Sequence, residues 1–471
     1  MLRFFRTIRH SLINENNMSK YFRYALTPSP LRLRRYTEKW NDDTSTNEVR
    51  ITKQIPISMA SISRRKFICS AGVPAAAFLM GGMSWVHGKP TDPIGTFKPL
   101  IQRDGLTSKV IIESLDLYKR DNNWFVRVRS KDGAEGWAVG HPKKTELSQH
   151  VFKKVIAPYM RGKDARDLDR LLDGVYLNGS NYKMQGQLFW VAVAVAEFAI
   201  IDMLGKIAKR SAADLLGGQR RKKIDLYIAN NHHNKSPEYS LRKIIESVSS
   251  IDANALKIKV GGRMKVVDNP SDRTEKLIPM VAEALGDRCT LYADANSSYV
   301  SVKKAIEVGK QLEEHNYAFY EEPVPFDYLE ETKRVADALE IPVAWGEQES
   351  SQWRFRWMVE NSGVRVFQPD IIYYGGLIRS LRVAQMAAAK GLDATPHISG
   401  GGLGFLYMGI YAACCPNPGA YQEYKGLTKG LPWESTGDKI EVKNGAMTAP
   451  NGHGIGVNID PDYLAKAEKI S

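Results

Sequence analysis

Cysteine is scarce in this chain, with four residues among 471: Cys69, Cys289, Cys414 and Cys415. No Cys-x-x-Cys pair occurs, which argues against the usual structural zinc sites and dithiol redox motifs. The adjacent pair, Cys414 and Cys415, is a poor candidate for a disulfide because bridging neighbouring residues strains the bond. We therefore interpret the cysteines of the folded part as buried free thiols.

The chain also lacks two signatures of nucleotide or nucleic-acid binding. No glycine-rich dinucleotide fingerprint follows the first strand of its βα region, and no patch interleaves basic with aromatic residues. The formal net charge of +14 does not reverse this conclusion. Residues 1–89 carry 15 Lys/Arg and 5 Asp/Glu, so ten of the fourteen net charges belong to the N-terminal extension. We expect no nucleic-acid partner.

The N-terminal extension has the pattern of an export signal. Arg64 and Arg65 precede an apolar stretch, 68–83, that is too short and too weakly apolar to predict a stable membrane span. The arginine pair resembles the twin-arginine signal that carries folded proteins across a bacterial membrane. We predict a periplasmic or exported protein, the alternative being a cytoplasmic protein with a disordered basic tail. Residues 1–58 are interpreted as a non-native or disordered extension, and 59–104 as signal and linker.

Two folded units are predicted after this extension, as the chain length and a hydrophobic content of 43% allow. From about residue 105, alternating apolar positions and turns predict a three-stranded antiparallel meander. A long apolar helix over 187–207 follows, which makes the first unit α+β and extends it to about residue 222.

Beyond residue 223, short apolar strands alternate regularly with helical stretches. Eight strands with intervening helices predict parallel βα units that close a barrel. The predicted strands are 226–228, 255–260, 291–293, 319–320, 343–345, 366–367, 393–395 and 420–421.

Ionisable residues stand at the ends of seven consecutive predicted strands. In a barrel, polar residues at the carboxyl ends of the strands point into one shared site. We therefore expect these side chains to form one cluster. They are Lys257, Lys259, Asp294 with its neighbour Asn296, Glu321, Glu347, Asp370, His397 and Glu423.

Three carboxylates in this set have the spacing of neighbouring strands. Asp294, Glu321 and Glu347 are 27 and 26 residues apart, which is one βα unit each. Three hard oxygen ligands without His or Cys suit Mg²⁺, which keeps open positions for water or substrate. Any one of these carboxylates alone would be read as a surface charge. Together they predict a Mg²⁺ site, with one ion per subunit.

Two lysines and a histidine supply the predicted acid/base groups. Lys257 and Lys259 alternate along one strand and face the same side, so their repulsion and burial would lower the pKa of one of them and make it a general base. A carboxylate such as Asp370 can orient His397 and raise its basicity. If protonated, Glu423 could donate a hydrogen bond to a substrate carboxylate. The glycines at 400–402 form either an anion-binding loop or a simple flexible one.

In order and spacing, these motifs resemble the mandelate racemase group of the enolase superfamily. The resemblance covers about residues 105–460. It implies a capping α+β domain at 105–222, a modified (β/α)8 barrel at 223–430, and a C-terminal segment at 431–471 that returns to the cap. The interval from His397 to Glu423 is longer than expected for the racemase itself, and an export signal is unusual for the family. The motifs are K-x-K at 257–259, D-x-N at 294–296, E-E-P at 321–323, G-E at 346–347, P-D at 369–370, His397 and Glu423.

The resemblance also implies a role for each residue, beginning with the same three Mg²⁺ ligands. Lys259 would be one base, with Lys257 lowering its pKa and touching the substrate carboxylate. The pair of Asp370 and His397 would be the second base or acid. The other implied substrate contacts are Glu423 and Asn296.

The reaction step shared by the family is removal of the proton next to a carboxylate, giving a stabilised enediolate. If His397 then protonates a departing β-hydroxyl, the product is a 2-keto-3-deoxy acid, so the enzyme is an acid-sugar dehydratase. If His397 reprotonates the opposite face, the enzyme is a racemase or epimerase of 2-hydroxy acids. We favour dehydration of a small-molecule carboxylate by a homo-oligomer.

Two rival classes remain at this stage. One is a non-catalytic binding protein on a barrel scaffold, although a binder needs no paired lysines. The other is a basic protein that binds nucleic acid or a membrane surface through a retained N-terminal tail. Substrate choice would lie in loops, and we expect them at 119–123, 140–144 and 230–233.

Overall fold

The structure is a computed structural model that describes residues 97–229, 232–264, 268–399, 403–426 and 431–470. The predicted export signal and the extension before it lie outside the described residues, as do the glycines at 400–402. The export signal and the anion-binding loop therefore stay predictions from the sequence.

The first unit begins with the expected antiparallel meander. Its strands are β1 (Ile112–Arg120), β2 (Asn123–Ser130) and β3 (Glu135–Val139), with Leu117 opposite Val126 in the register of the first pair. The inward-facing apolar residues of the alternation are buried, and the turns fall between them.

Helices pack on one face of this meander. The longest, α4, is apolar all round, and nearly every residue from Phe189 to Gly205 is buried. A helix with apolar residues on every side is stable in water only when it is surrounded by protein. The five helices are α1 (Pro142–Val151), α2 (Ala157–Met160), α3 (Leu168–Leu177), α4 (Gln187–Ala208) and α5 (Ala212–Leu215), with a π-helical turn at Phe152–Ile156 and 3₁₀ turns at Ala165–Asp167 and Asn178–Met184.

The second unit is the predicted (β/α)8 barrel. Its eight parallel strands alternate with seven helices in the described part of the chain. The strands are β4 (Lys223–Ala229), β5 (Ala255–Lys259), β6 (Thr290–Asp294), β7 (Phe319–Glu321), β8 (Val343–Trp345), β9 (Val366–Phe367), β10 (Asp393–Ala394) and β11 (Gln422–Tyr424). The helices are α6 (Pro237–Ile251), α7 (Arg273–Leu285), α8 (Val302–Glu314), α9 (Leu329–Ala338), α10 (Gln352–Glu360), α11 (Leu377–Ala388) and α12 (Leu403–Cys414).

Parallel pairing runs from β11 through β4 and then in chain order to β10. The remaining side is joined by the chain that leads into β11, where Ala394 N donates to Asn417 O at 2.8 Å. Thr395 Oγ1 donates to Pro418 O, also at 2.8 Å. These bonds join the end of the seventh strand to the chain that leads into the eighth.

The predicted position of the eighth strand was wrong. The strand is Gln422–Tyr424 rather than 420–421, so Glu423 lies within it and not after it. The apolar pair before it was the stronger hydrophobic signal. Gln422 and Glu423 are polar but buried in the barrel, and burial of polar side chains is what a hydrophobicity pattern misses.

The C-terminal segment joins both units. Within it, β14 (Ala446–Thr448) pairs antiparallel with β4, and the last strand pairs antiparallel with β1 of the meander. The chain therefore returns to the first unit after the barrel is complete. The other elements of the segment are β12 (Trp433–Ser435), β13 (Val442–Lys443), β15 (Val457–Ile459), α13 (Pro461–Ala465) and β16 (Glu468–Lys469).

A buried carboxylate, Glu197 of α4, ties the first unit to the barrel. Its two oxygens accept hydrogen bonds from the backbone amides of Leu377 (2.6 Å) and Ile378 (2.9 Å) at the start of α11. Gly376 is required there, because its φ is 111° and a Cβ would lie 2.0 Å from the Glu197 carboxylate. Burial raises the pKa of Glu197 to about 8 and outweighs the two amide bonds, which act in the opposite direction.

A pH-dependent stability follows from the raised pKa of Glu197. The folded state holds a proton on Glu197 that the unfolded state releases. The contribution of Glu197 to the stability of the folded state is therefore fully present below the pKa of the unfolded state, and it is lost as pH rises through about 8. We expect the melting temperature of wild type minus that of Glu197→Gln to fall steadily between pH 5 and pH 8 in scanning calorimetry. The exposed control Glu330→Gln should show no such trend, and a difference that is flat with pH would contradict this account.

Candidate active site

Three carboxylates meet at the carboxyl ends of adjacent barrel strands. Asp294 ends β6 and is in register with Glu321 at the end of β7, while Glu347 follows β8. One oxygen from each lies within 4.8 Å of the others, and all three side chains are buried. The spacing of one βα unit between the residues therefore did predict their convergence.

The cluster has the donor set of a hard dication. Glu321 Oε2 accepts hydrogen bonds from Lys257 Nζ (2.6 Å) and Gln368 Nε2 (2.8 Å). Glu321 Oε1 is buried and has no hydrogen-bond partner among the residues that the structure describes. Burial, and then the charge of Asp294, raise the pKa of Glu321 to about 7. A buried carboxylate oxygen without a partner, beside two further carboxylates, is suited to binding a cation.

The two predicted lysines extend from β5 into this cluster. The alternating residues Leu256 and Ile258 point away from the cluster and pack in the hydrophobic core. Lys259 Nζ donates to Asp294. Lys257 Nζ contacts Glu321 as above and lies 3.1 Å from Glu423 Oε1.

We predicted a lowered pKa for one of the two lysines, and Lys257 is not that lysine. Burial favours the neutral amine, but the charges of Glu321 and Glu423 prevail and the pKa of Lys257 lies well above its usual value. The prediction considered burial and the neighbouring lysine, but not the carboxylates of the other strands. In the structure two carboxylates hold the Lys257 ammonium, so for this residue the attraction is closer than the repulsion.

His397 faces the opposite side of the carboxylate cluster. Its Nδ1 lies 2.7 Å from Asp370 Oδ2, and its Nε2 lies 3.1 Å from Glu347 Oε2. Asp370 is fixed in turn by the backbone amides of Ile372 (2.9 Å) and Tyr373 (2.7 Å). Burial favours the neutral imidazole, yet Glu347, Glu423 and Asp370 raise the pKa of His397.

Glu423 is a buried carboxylate between two ammonium groups, not the protonated donor that the sequence suggested. Lys257 and Lys425 each lie 3.1 Å from one of its oxygens, and Ile398 N donates to Oε2 at 3.0 Å. Burial alone would protonate it, but the two lysines and His397 hold its pKa well below the usual value.

Asn296 also reaches the cluster. Its Nδ2 lies 3.3 Å from Asp294 Oδ2 and 3.4 Å from Glu347 Oε1, from a backbone with φ of 43°. His233 Nε2 is 3.2 Å from Asn296 Oδ1, so this half-buried histidine belongs to the site.

Two site residues, Gln368 and Lys425, were not recognised from the sequence, and His233 was expected only as part of the substrate loop at 230–233. Lys425 had a usable signal, because it follows Glu423 by two positions and so projects on the same side of an extended chain. Gln368 directly precedes the P-D motif at 369–370, which is a weaker signal. The contact of His233 depends on how a loop folds back onto Asn296, and the sequence does not encode this locally.

The first unit contacts this edge of the barrel at one of the predicted loops. In the loop at 140–144, the ring of His141 lies 5.9 Å from that of Tyr373, and Lys144 Nζ lies over the same ring. The other described loop, 119–123, instead contacts the C-terminal segment, where Asn123 Nδ2 donates to the hydroxyl of Tyr463.

Comparison with known proteins agrees with this geometry. A family model described as Enolase C-terminal domain-like matches residues 242–463. The arabinonate dehydratase of Saccharolobus solfataricus is 26% identical over 316 residues, which are 67% of this chain and 82% of that protein. A crystal structure of a candidate racemase from Roseobacter denitrificans is 32% identical with a TM-score of 0.71, covering 77% of this chain and 99% of that one. The chain belongs to the enolase superfamily.

Within the enolase superfamily, the mandelate racemase and muconate lactonizing group predicted from the motifs is confirmed. A mandelate racemase/muconate lactonizing protein from Paracoccus denitrificans PD1222, whose crystal structure is complexed with magnesium, is 27% identical with a TM-score of 0.68. The match covers 77% of this chain and 99% of that one. The chain is accordingly an enzyme of this group, and the barrel fold is that of its relatives.

The contacts of His397 lead to an ordering of two mutations. Since Glu347 raises the pKa of His397 more than the hydrogen bond to Asp370 does, Glu347→Gln should lower that pKa further than Asp370→Asn. The pKa is measured by NMR titration of ¹⁵N-labelled histidine, with Ser399→Ala as a control that removes a bond to Asp370 but no charge. An unchanged pKa in both carboxylate variants would show that these contacts do not form.

Proposed function

We propose that this enzyme dehydrates an acid sugar to a 2-keto-3-deoxy acid in a Mg²⁺-dependent reaction. One observation carries the proposal: the buried carboxylate cluster lies between an amine and an imidazole. Lys259 contacts Asp294 on one side, and His397 contacts Glu347 on the other. A substrate held at the cluster would therefore meet one basic group on each face.

The Mg²⁺ ligands in this proposal are Asp294, Glu321 and Glu347, with one ion per subunit. Their oxygens, including the free Oε1 of Glu321, fit a hard dication, and a related structure contains magnesium. When bound, the ion supplies positive charge to the substrate carboxylate and so acidifies the adjacent C–H bond.

The residues of the chain carry out the proton transfers. Lys259, as the neutral amine, takes the proton from the carbon next to the carboxylate. The electron pair of that C–H bond forms a carbon–carbon double bond as the bond to the β-oxygen breaks. His397, as the imidazolium held by Asp370, gives its proton to the departing oxygen, so water leaves. The enol that remains becomes the 2-keto-3-deoxy acid.

Other residues of the cluster would hold the substrate. The Lys257 ammonium lies between Glu321 and Glu423 and would contact the substrate carboxylate. Asn296 has an amide directed at the same cluster. Glu423 acts here as an ionised bridge between lysines.

Racemisation or epimerisation of a 2-hydroxy acid is the second candidate. It requires the same two groups on opposite faces, and the Roseobacter relative is described as a candidate racemase. Dehydration is preferred because the relative from Saccharolobus solfataricus is an arabinonate dehydratase. The two reactions differ in whether the β-oxygen leaves.

The decisive experiment follows a panel of sugar acids and other α-hydroxy acids in deuterated water with Mg²⁺. We expect release of a 2-keto acid with wild type, and a loss of turnover of roughly 10²–10⁴-fold in Lys259→Ala and His397→Ala. Deuterium in recovered substrate without keto product would favour the racemase. The exposed residues Lys131 and His453 provide matched alanine controls, and unchanged turnover in both site variants would refute the proposal.

Metal binding should depend on pH through Glu321. Because its pKa is raised to about 7, Mg²⁺ must displace a proton from it at lower pH. Titration calorimetry should therefore give a Kd that weakens about tenfold per pH unit below 7 and levels off above it. Glu321→Gln should weaken binding at every pH and remove this slope, and a Kd independent of pH in wild type would contradict the assignment.

A further inference from the structure

Lys425 is a third lysine of the active site and has no place in the reaction as described so far. Its Nζ lies 2.9 Å from His397 Nε2, 2.8 Å from Ile398 O and 3.1 Å from Glu423 Oε2. Its side chain is 27% exposed, whereas that of Lys257 is 0% exposed. It is therefore an ammonium group at the open side of the site.

The contact with His397 occupies the nitrogen that the reaction needs. Nδ1 of the imidazole is committed to Asp370, so only Nε2 can face the substrate. While Lys425 donates to Nε2, which also lies 3.1 Å from Glu347 Oε2, the imidazole cannot exchange a proton with a bound acid. Either the Lys425 ammonium or the His397 imidazole has to move when the substrate binds.

Lys425 is the group that can move. His397 is held by Asp370, which is itself fixed by backbone amides, whereas Lys425 has a long flexible chain with access to solvent. Its contacts with Ile398 O and Glu423 would keep the ammonium close to the imidazole after the exchange. The N–H group of Lys425 that leaves His397 Nε2 then needs a new hydrogen-bond acceptor close to His397.

We propose that this acceptor is the β-oxygen of the substrate, so that Lys425 selects acids that carry an oxygen on that carbon. This inference rests on the proposed dehydration, in which His397 protonates the same oxygen. Lys425 transfers no proton; its hydrogen bond stabilises the charge that develops on the oxygen as the carbon–oxygen bond breaks. An acid with an apolar β-substituent would leave the ammonium and Glu423 without that partner, which disfavours its binding.

The test compares the aldonate that turns over fastest in the panel with its 3-deoxy counterpart. Titration calorimetry measures the Kd of both acids in Mg²⁺-loaded Lys259→Ala, which retains His397 but cannot take the proton next to the carboxylate. When Lys425→Met is added, the preference for the 3-hydroxy acid over the 3-deoxy acid, taken as the ratio of the two Kd values, should fall by at least about tenfold. Lys425→Arg, which keeps the charge and a donor, should leave this ratio within about threefold of that of the parent Lys259→Ala. The exposed control Lys131→Met should leave the ratio unchanged.

This ratio is independent of how much of a preparation is folded, because both acids are measured with the same enzyme. If Lys425 only positions His397 for proton transfer, the affinities for the two acids change equally and the unchanged ratio overturns the inference, while the proposed function stands. If wild type releases no 2-keto acid from any acid in the panel, the proposed function fails first. Should Lys425→Met not fold, Lys425→Gln replaces the charged ammonium with a neutral side chain and serves the same comparison, with the same expected fall.

Discussion

The structure of this enzyme depends on the pairing of buried charges at one end of the barrel. A carboxylate or ammonium removed from water is tolerated only when opposite charges and hydrogen bonds surround it. Here the five carboxylates of the cluster face three lysines and a histidine, and nearly every one of these side chains is buried. Lys257 is the central member, because it contacts carboxylates from both the fourth and the eighth strand of the barrel.

The barrel provides the rigid support that such a cluster requires. Just below the charged layer, the interior is filled by packed aromatic rings, with Tyr292 and Phe319 stacked at 3.9 Å between centroids. On these strands the residues near the carboxyl end carry charge. The position of a residue along its strand therefore determines whether its side chain packs in the barrel interior or belongs to the active site. Strands of two or three residues, such as β8 and β9, are sufficient because their neighbours hold them on both sides.

Chain order and strand spacing predicted the fold and most members of the cluster. Asp294, Glu321 and Glu347 were recognisable because one βα unit separates each from the next and barrel symmetry brings equivalent strand ends together. The ionised state of Glu423 and the raised pKa of Lys257 were not predictable in this way. Both depend on distances across the barrel, between strands that are far apart in sequence, and no local pattern reports such distances.

The same limit explains the remaining differences. The predicted position of the eighth strand was two residues too early, because the buried side chains of that strand are polar. Lys425 was missed because the two-residue alternation was applied only to Lys257 and Lys259. His233 enters the site through a loop contact with Asn296 that only the folded chain reveals. Local periodicity therefore locates the strand ends, while the electrostatics of the site requires the assembled barrel.

The central claim, that the three carboxylates form a single cation site between Lys259 and His397, can be tested most directly by crystallography with Mn²⁺ in place of Mg²⁺. Anomalous scattering should show one strong peak per subunit, bonded to an oxygen of Asp294, Glu321 and Glu347 together. An anomalous peak at other residues, or no peak at these three residues in a crystal soaked with saturating Mn²⁺, would contradict the account.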